Sequence, residues 1–134
     1  MIAWFCAVIV VVLSTDLITK FTIAGILNPG IAWGLGAQLP WLWIVVVVFS
    51  LVIVAVLIGW FMWMKKRTWW GTTGLALVIA GALGNAIDRL VSGGAVHDFI
   101  DFGFFRNNIA DIALSIGAVL VCLALMIGET RAAR

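Results

Sequence analysis

Five of the six acidic residues in this 134-residue chain, Asp16, Asp88, Asp98, Asp101 and Asp111, stand toward the same ends of its long apolar runs, and only Glu129 lies apart. Asp111 is the clearest candidate for chemistry. Asn108, Asp111, Ser115, Ala118 and Cys122 follow one another at steps of three or four, forming one small or polar stripe on an otherwise apolar helix, which is expected to face the other helices. A carboxylate one turn inside such a helix is costly to ionise. A second carboxylate beside it adds to that cost, so a pair there would share a proton. Asp98 is the expected second member, because the segment that carries it must return to the start of the helix bearing Asp111. One ionised carboxyl can take a proton from water while a protonated neighbour polarises a carbonyl, which is what hydrolysis of a peptide bond needs, with no metal required. Other hydrolytic chemistries lack their residues. His97 is the sole histidine, no GxSxG or HExxH occurs, and Ser14 and Lys20, six residues apart on one helix, point in different directions. His97 itself is expected to be a loop residue at the membrane interface.

The remaining polar residues read first as scaffold. Lys20 shares a helical face with Asp16 and is expected to neutralise it as a structural salt bridge. Ala76, Ala80 and Gly84 recur every four residues, as a close helix contact requires, and Asn85, Asp88 and Arg89 follow at the end of that helix as a hydrogen-bonding cluster that ties helix ends together.

The elements that must position these groups are membrane helices. With 65% apolar residues, 10% charged and a mean hydropathy of +1.24, the chain cannot form a water-facing globular surface. Its apolar runs are continuous rather than alternating, so helices satisfy the backbone better than a barrel. Spans are expected at Ile2 to Phe21, Trp41 to Met64, Thr72 to Asp88 and Asn108 to Gly128, each near the roughly 20 residues a bilayer requires. Lys65, Lys66 and Arg67, with Arg131 and Arg134, place those regions and both termini in the cytoplasm by the positive-inside rule. Trp4, Trp60, Trp63, Trp69 and Trp70 then mark the inner interface, and Trp33, Trp41 and Trp43 the outer one. The start of the chain lacks the basic region and cleavage site of a removable leader, so it is expected to stay as the first span. The outer connections run from Thr22 to Pro40, rich in glycine and holding both prolines, and from Arg89 to Asn107. Phe99, Phe102, Phe104 and Phe105 in the second either anchor a loop in the interface or help hold a lipidic substrate. Val45 to Val48 is expected to face lipid, and Cys6 and Cys122 to fill helix contacts. A net charge of +2 without a basic stripe gives no support to a nucleic-acid partner.

Asp16-Leu17-Ile18-Thr19-Lys20, Asn28-Pro29-Gly30-Ile31-Ala32-Trp33-Gly34, Gly81-Ala82-Leu83-Gly84-Asn85-Ala86-Ile87-Asp88-Arg89, Val96-His97-Asp98-Phe99-Ile100 and Asn108-Ile109-Ala110-Asp111 together resemble the ordered motifs of bacterial lipoprotein signal peptidases, the type II signal peptidases. The resemblance implies one all-α membrane peptidase domain over residues 1–134, with four transmembrane helices and a short irregular or β-like extracytoplasmic region. It further implies an aspartic endopeptidase without cofactor or metal, in a bacterial plasma membrane. Such an enzyme cuts diacylglyceryl-modified prolipoproteins just before the lipidated cysteine. By motif, Asp98 and Asp111 would be the catalytic pair, with the choice of base and acid left open. Asn108 and Ala110 would shape the site, and Asp16, Lys20, Asn28, Gly30, Asn85, Asp88 and Arg89 would support or line it. The partners implied are prolipoproteins and membrane lipids, and the chain is expected to be a monomer. The segment between Lys20 and Asn28 is shorter than family members usually have, Trp33 stands where phenylalanine is common, and Asn107 replaces an aromatic. Buried acids in a four-helix membrane protein would also suit a small proton- or cation-coupled transporter, the alternative reading. Asp101 has no specific role assigned.

Overall fold

Backbone groups in hydrocarbon must be satisfied within their own segment, and each apolar run accordingly forms a continuous helix. The computed structural model describes residues 1–30, 36, 38, 39 and 41–132, with side chains as far as 127. The expectations placed on Ile31 to Gly34, Trp33 among them, on Pro40, and on the side chains of Glu129, Arg131 and Arg134 lie outside the described residues. The helices are α1 (Ile2–Thr22), α2 (Leu42–Trp63), α3 (Trp69–Val91) and α4 (Ile109–Ala132). All four are long and apolar enough to cross a membrane, α4 over Ile109–Ile127.

Helix α3 starts three residues before the expected Thr72 because Thr68 caps it, its Oγ1 accepting from the Gly71 N–H at 3.1 Å. It also runs past Asp88 to Val91. There Gly93 and Gly94 take positive φ of 69° and 112°, and the Gly94 N–H closes back onto the Arg89 carbonyl at 2.7 Å.

Helix α3 is the centre of the bundle and packs against the other three. In its most apolar window 56% of residues are buried, against 11% for α1 and α2, so the outer helices turn most of their surface to lipid. Leu75, Ala76 and Ile79 of α3 meet Phe5 of α1 and Val54 and Phe61 of α2, with the Phe5 and Phe61 rings stacked at 3.9 Å. The valine run of α2 does not face lipid throughout. Val45 and Val48 are exposed, but Val47 is buried.

The α3–α4 contact corrects the expected stripe. Asn108, just before the helix, is buried as expected, but Ser115, Ala118 and Cys122 are exposed, and the buried face of α4 is instead Ala110, Ala113 and Gly117. A Cβ on Gly117 would stand 2.7 Å from the Gly74 carbonyl oxygen, and one on Gly74 would stand 2.9 Å from the Gly117 carbonyl oxygen. Helices in lipid associate where small residues let backbones approach, and here that preference outweighs polarity. Ser115 has no need of the interior because its hydroxyl donates to the Asp111 carbonyl of its own helix at 2.9 Å. Cys6 is exposed like Cys122, so neither cysteine fills the helix contact expected of it.

At the end of the bundle where α3 stops and α4 starts, two small antiparallel sheets replace regular helix. Strand β1 (Ile26–Asn28) pairs with β2 (Val96–Asp98), setting Ile26 opposite Asp98 and Asn28 opposite Val96. Strand β3 (Ile100–Asp101) pairs with β4 (Arg106–Asn107) in a hairpin. Asp101 thereby gains a local role: it accepts from the Gly103 N–H at 2.7 Å and pairs with Arg106 at 2.8 Å. The Gly103 N–H and then the Arg106 guanidinium hold its carboxyl below the ordinary value. The Lys65-Lys66-Arg67 turn lies at the opposite end, between α2 and α3, where Arg67 donates to the Phe61 carbonyl and sits over its ring at 4.6 Å. Trp4, Trp63, Trp69 and Trp70 are exposed at that end, and Trp41 is exposed at the sheet end.

Candidate active site

Helix α4 begins with amide N–H groups that have no partner within the helix, and side chains from elsewhere in the chain fill that need. Asn108, immediately before the helix, accepts the Asp111 N–H on its Oδ1 at 3.0 Å, the usual geometry of an asparagine cap. The Ala110 N–H donates to Asp16 Oδ1 at 2.8 Å, across 94 residues of sequence. Ala110 is fully buried, and Gly84 on α3 has no side chain because Asp16 and Ala110 fill the space a Cβ would need.

The same capping residue reaches the second carboxylate. Asn108 Nδ2 donates to Asp98 Oδ1 at 2.7 Å, so one amide holds Asp98 with its nitrogen and the Asp111 backbone with its oxygen. Asn28 Nδ2 donates to the other oxygen, Asp98 Oδ2, at 3.1 Å from the neighbouring strand. The β1–β2 ladder makes that contact possible by bringing residues 70 apart in sequence onto adjacent strands. Asp111, in the first turn of α4, accepts from Asn85 Nδ2 at 2.8 Å. Asp98 is buried and Asp111 half-buried.

Behind this pair lies a charged layer with almost no access to solvent. Lys20 is 2% exposed, and its Nζ meets Asp16 Oδ2 at 2.9 Å, Asn85 Oδ1 at 2.8 Å and Asp88 Oδ2 at 3.6 Å. The expected Asp16–Lys20 salt bridge is present, and Lys20 also serves a second carboxylate. Buried charges persist only when paired and hydrogen-bonded, and this layer meets that condition with one cation set among two carboxylates and an amide. Arg89 Nη2 donates to the Gly30 carbonyl at 2.9 Å, while the Gly30 N–H donates to Asn28 Oδ1 at 3.0 Å. Arg89 thus fixes the turn that aims Asn28 at Asp98. The eleven residues assigned to the site from the motifs are joined in this one connected cluster.

His97 is where the expectation fails. It is the middle residue of β2 rather than part of a loop, and its Nδ1 lies 2.8 Å from Asp88 Oδ1, while its backbone N–H donates to Asp88 Oδ2 at 2.8 Å. Ser92, also unassigned from sequence, donates to Asp88 Oδ1 at 3.0 Å. The available signal was the alternation of strand side chains: a residue beside Asp98 must point away from the pair, back toward the end of α3.

A cavity of about 310 Å³ opens beside Asp98, walled by Ile26, Leu27, Asn28 and Pro29 on one side and Phe104, Phe105 and Arg106 on the other. Phe102 and Phe105 stack at 4.9 Å, and Phe104 meets Phe105 edge-on, with 89% of Phe104 exposed. The arrangement joins the Asp98 carboxyl and the Asp111 backbone through one asparagine, with Asp98 on the wall of a mainly apolar recess and a buried charged layer behind the pair.

Comparison with known proteins agrees in sequence and in shape. A family model described as signal peptidase (SPase) II matches residues 4–127. A lipoprotein signal peptidase of Lactococcus lactis subsp. lactis is 41% identical over 103 residues, covering 74% of this chain and 65% of the relative. One from Lactiplantibacillus plantarum is 31% identical over 118 residues, covering 84% and 75% respectively. The chain therefore spans slightly less than two thirds of the Lactococcus relative's length. A bacterial membrane enzyme solved by the in meso method superposes with a TM-score of 0.85 at 27% identity, covering 98% of this chain and 92% of the other. A second such structure gives 0.78 at 28% identity, with 93% and 94% covered. With the family model matched from the first helix into the fourth and the fold shared end to end, this multi-pass membrane chain belongs to the signal peptidase II family.

Proposed function

We propose that this protein is an aspartic endopeptidase that removes signal peptides from diacylglyceryl-modified prolipoproteins, immediately before the lipidated cysteine. The observation that carries the reading is the Asn108 side chain, which joins Asp98 to the start of the helix bearing Asp111. In this reading an ionised carboxylate of the pair takes a proton from water as its oxygen attacks the scissile carbonyl carbon, while the protonated partner donates to the carbonyl oxygen. Collapse of the tetrahedral intermediate returns a proton to the leaving amine, and the pair acts as one titrating unit. The relatives' shared name, lipoprotein signal peptidase, supports the substrate class.

The recess beside Asp98 supports a lipidic substrate. Phe104 and Phe105 wall it, which favours the substrate-holding reading of the Phe-rich segment over a simple anchor. A lipid anchor held in the bilayer would fix the depth of the scissile bond and supply much of its orientation. The pair sits at the end of the bundle opposite Lys65, Lys66 and Arg67, so the positive-inside rule directs it to the extracytoplasmic face of a bacterial plasma membrane. The transporter alternative gains no support from the relatives.

The test is cleavage of a diacylglyceryl-modified prolipoprotein by the purified protein in detergent, with the released signal peptide followed by mass spectrometry. Asp98→Asn and Asp111→Asn should each abolish product while the protein stays folded and inserted. Full activity in either variant overturns the pair.

A further inference from the structure

We infer that His97 is a positioning residue for Asp98, fixing by its contact with Asp88 the angle at which strand β2 presents the catalytic carboxyl; this rests on the proposed role of Asp98. Asp88 is fully buried at the end of α3 and holds β2 at two points, the backbone N–H and the ring Nδ1 of the same residue, each at 2.8 Å. A carboxylate only accepts, so Nδ1 carries the proton in that contact. The ladder with β1 already pairs the β2 backbone, with Leu27 opposite His97, and the ring contact adds a side-chain hold at the same residue, so Asp88 grips the strand at two atoms rather than one. The next side chain along the strand lies on the opposite face, where Asp98 receives Asn28 and Asn108. Asp88 is itself held in place by further contacts: Ser92 donates to it and Lys20 stands 3.6 Å away. The Phe21 ring meets the imidazole edge-on at 6.1 Å. Among the described residues that wall the recess beside Asp98 neither His97 nor Asp88 appears, so His97 acts through the backbone that carries Asp98.

Removing the ring donor should slow the chemical step and leave substrate capture unchanged, because misplacement of a reacting group is felt in the transition state. His97→Val is expected to lower kcat about tenfold with KM within about twofold. His97→Asn can place an amide N–H where Nδ1 stands, and is expected to recover kcat to within about threefold of the native protein. His97→Gln carries its donor one methylene too far and should not recover it. If His97→Val fails to fold, the Asn and Gln variants make the same comparison. Wild-type kcat in His97→Val, or equal kcat in the Asn and Gln variants, overturns the proposal while an inactive Asp98→Asn leaves the catalytic pair standing. An active Asp98→Asn, or a native protein that cleaves nothing, removes the pair and this proposal with it.

Discussion

Asn85 donates its side-chain amide to Asp111 Oδ1 at 2.8 Å, and Lys20 donates to the Asn85 oxygen at the same distance. The ammonium therefore orients Asn85, and Asn85 orients the carboxyl. An amide can serve both sides only in one flip state, with oxygen toward Lys20 and nitrogen toward Asp111. Asn85→Leu keeps much of the volume but deprives both partners. It is expected to cost about 1–3 kcal/mol of stability for each buried polar group left unpaired. Cleavage should fall on the order of 100-fold through loss of Asp111 alignment. Initial rates and thermal unfolding on the same preparation separate the two effects, and native rates would show that Asp111 needs no such support.

Lys20 is the cation of the layer behind the pair, with Asp16 at 2.9 Å and Asp88 at 3.6 Å. Lys20→Met leaves two buried carboxylates facing each other without it. The expected loss is about 3–5 kcal/mol, the usual cost of breaking a buried pair from one side. Asp16→Asn combined with Lys20→Met should lose less than the two single changes added together, since each single change strands the other's charge. Unfolding in mixed micelles measures all three variants. Simple additivity would mean that the two side chains act independently.

Helices α3 and α4 touch backbone to backbone at Gly74 and Gly117, whereas the space around Gly59 on α2 is open to 4 Å. Gly74→Ala and Gly117→Ala each force the helices apart and should destabilise by about 1–3 kcal/mol. Gly59→Ala should be neutral or stabilise by up to about 1 kcal/mol, through helix propensity alone. The same unfolding assay ranks the three, and a harmless Gly117→Ala would contradict the close approach.

Much of the molecule was legible in the sequence because hydrophobicity and length act locally. A continuous apolar run must be a helix in lipid, and four such runs gave four helices close to their expected limits, shifted where Thr68 caps α3 and Gly93 and Gly94 end it. The motif residues were also legible as a set, and the Asp16–Lys20 pair followed from one turn of helix. The buried face of α4 was not. Its polar stripe through Asp111 and Ser115 and its small-residue stripe through Ala110 and Gly117 differ by one residue, roughly 100° of rotation. The positions of Gly74, Gly81 and Gly84 on another helix decide between them, through Gly117 and Ala110.

The sequence by itself determined the solvent this chain folds in, its helices and the identity of the polar groups at one end, since each depends on neighbours within a few residues. Tertiary structure alone decided how those groups connect. Asn28 reaches Asp98, Asp16 caps Ala110 and His97 meets Asp88 because the strand pairing and the glycine contact fix relative positions that no local pattern encodes. A hydrogen bond is directional and short, so a rotation of one residue on α4 or a slip of one on β2 would break the cluster without altering any composition or period in the chain.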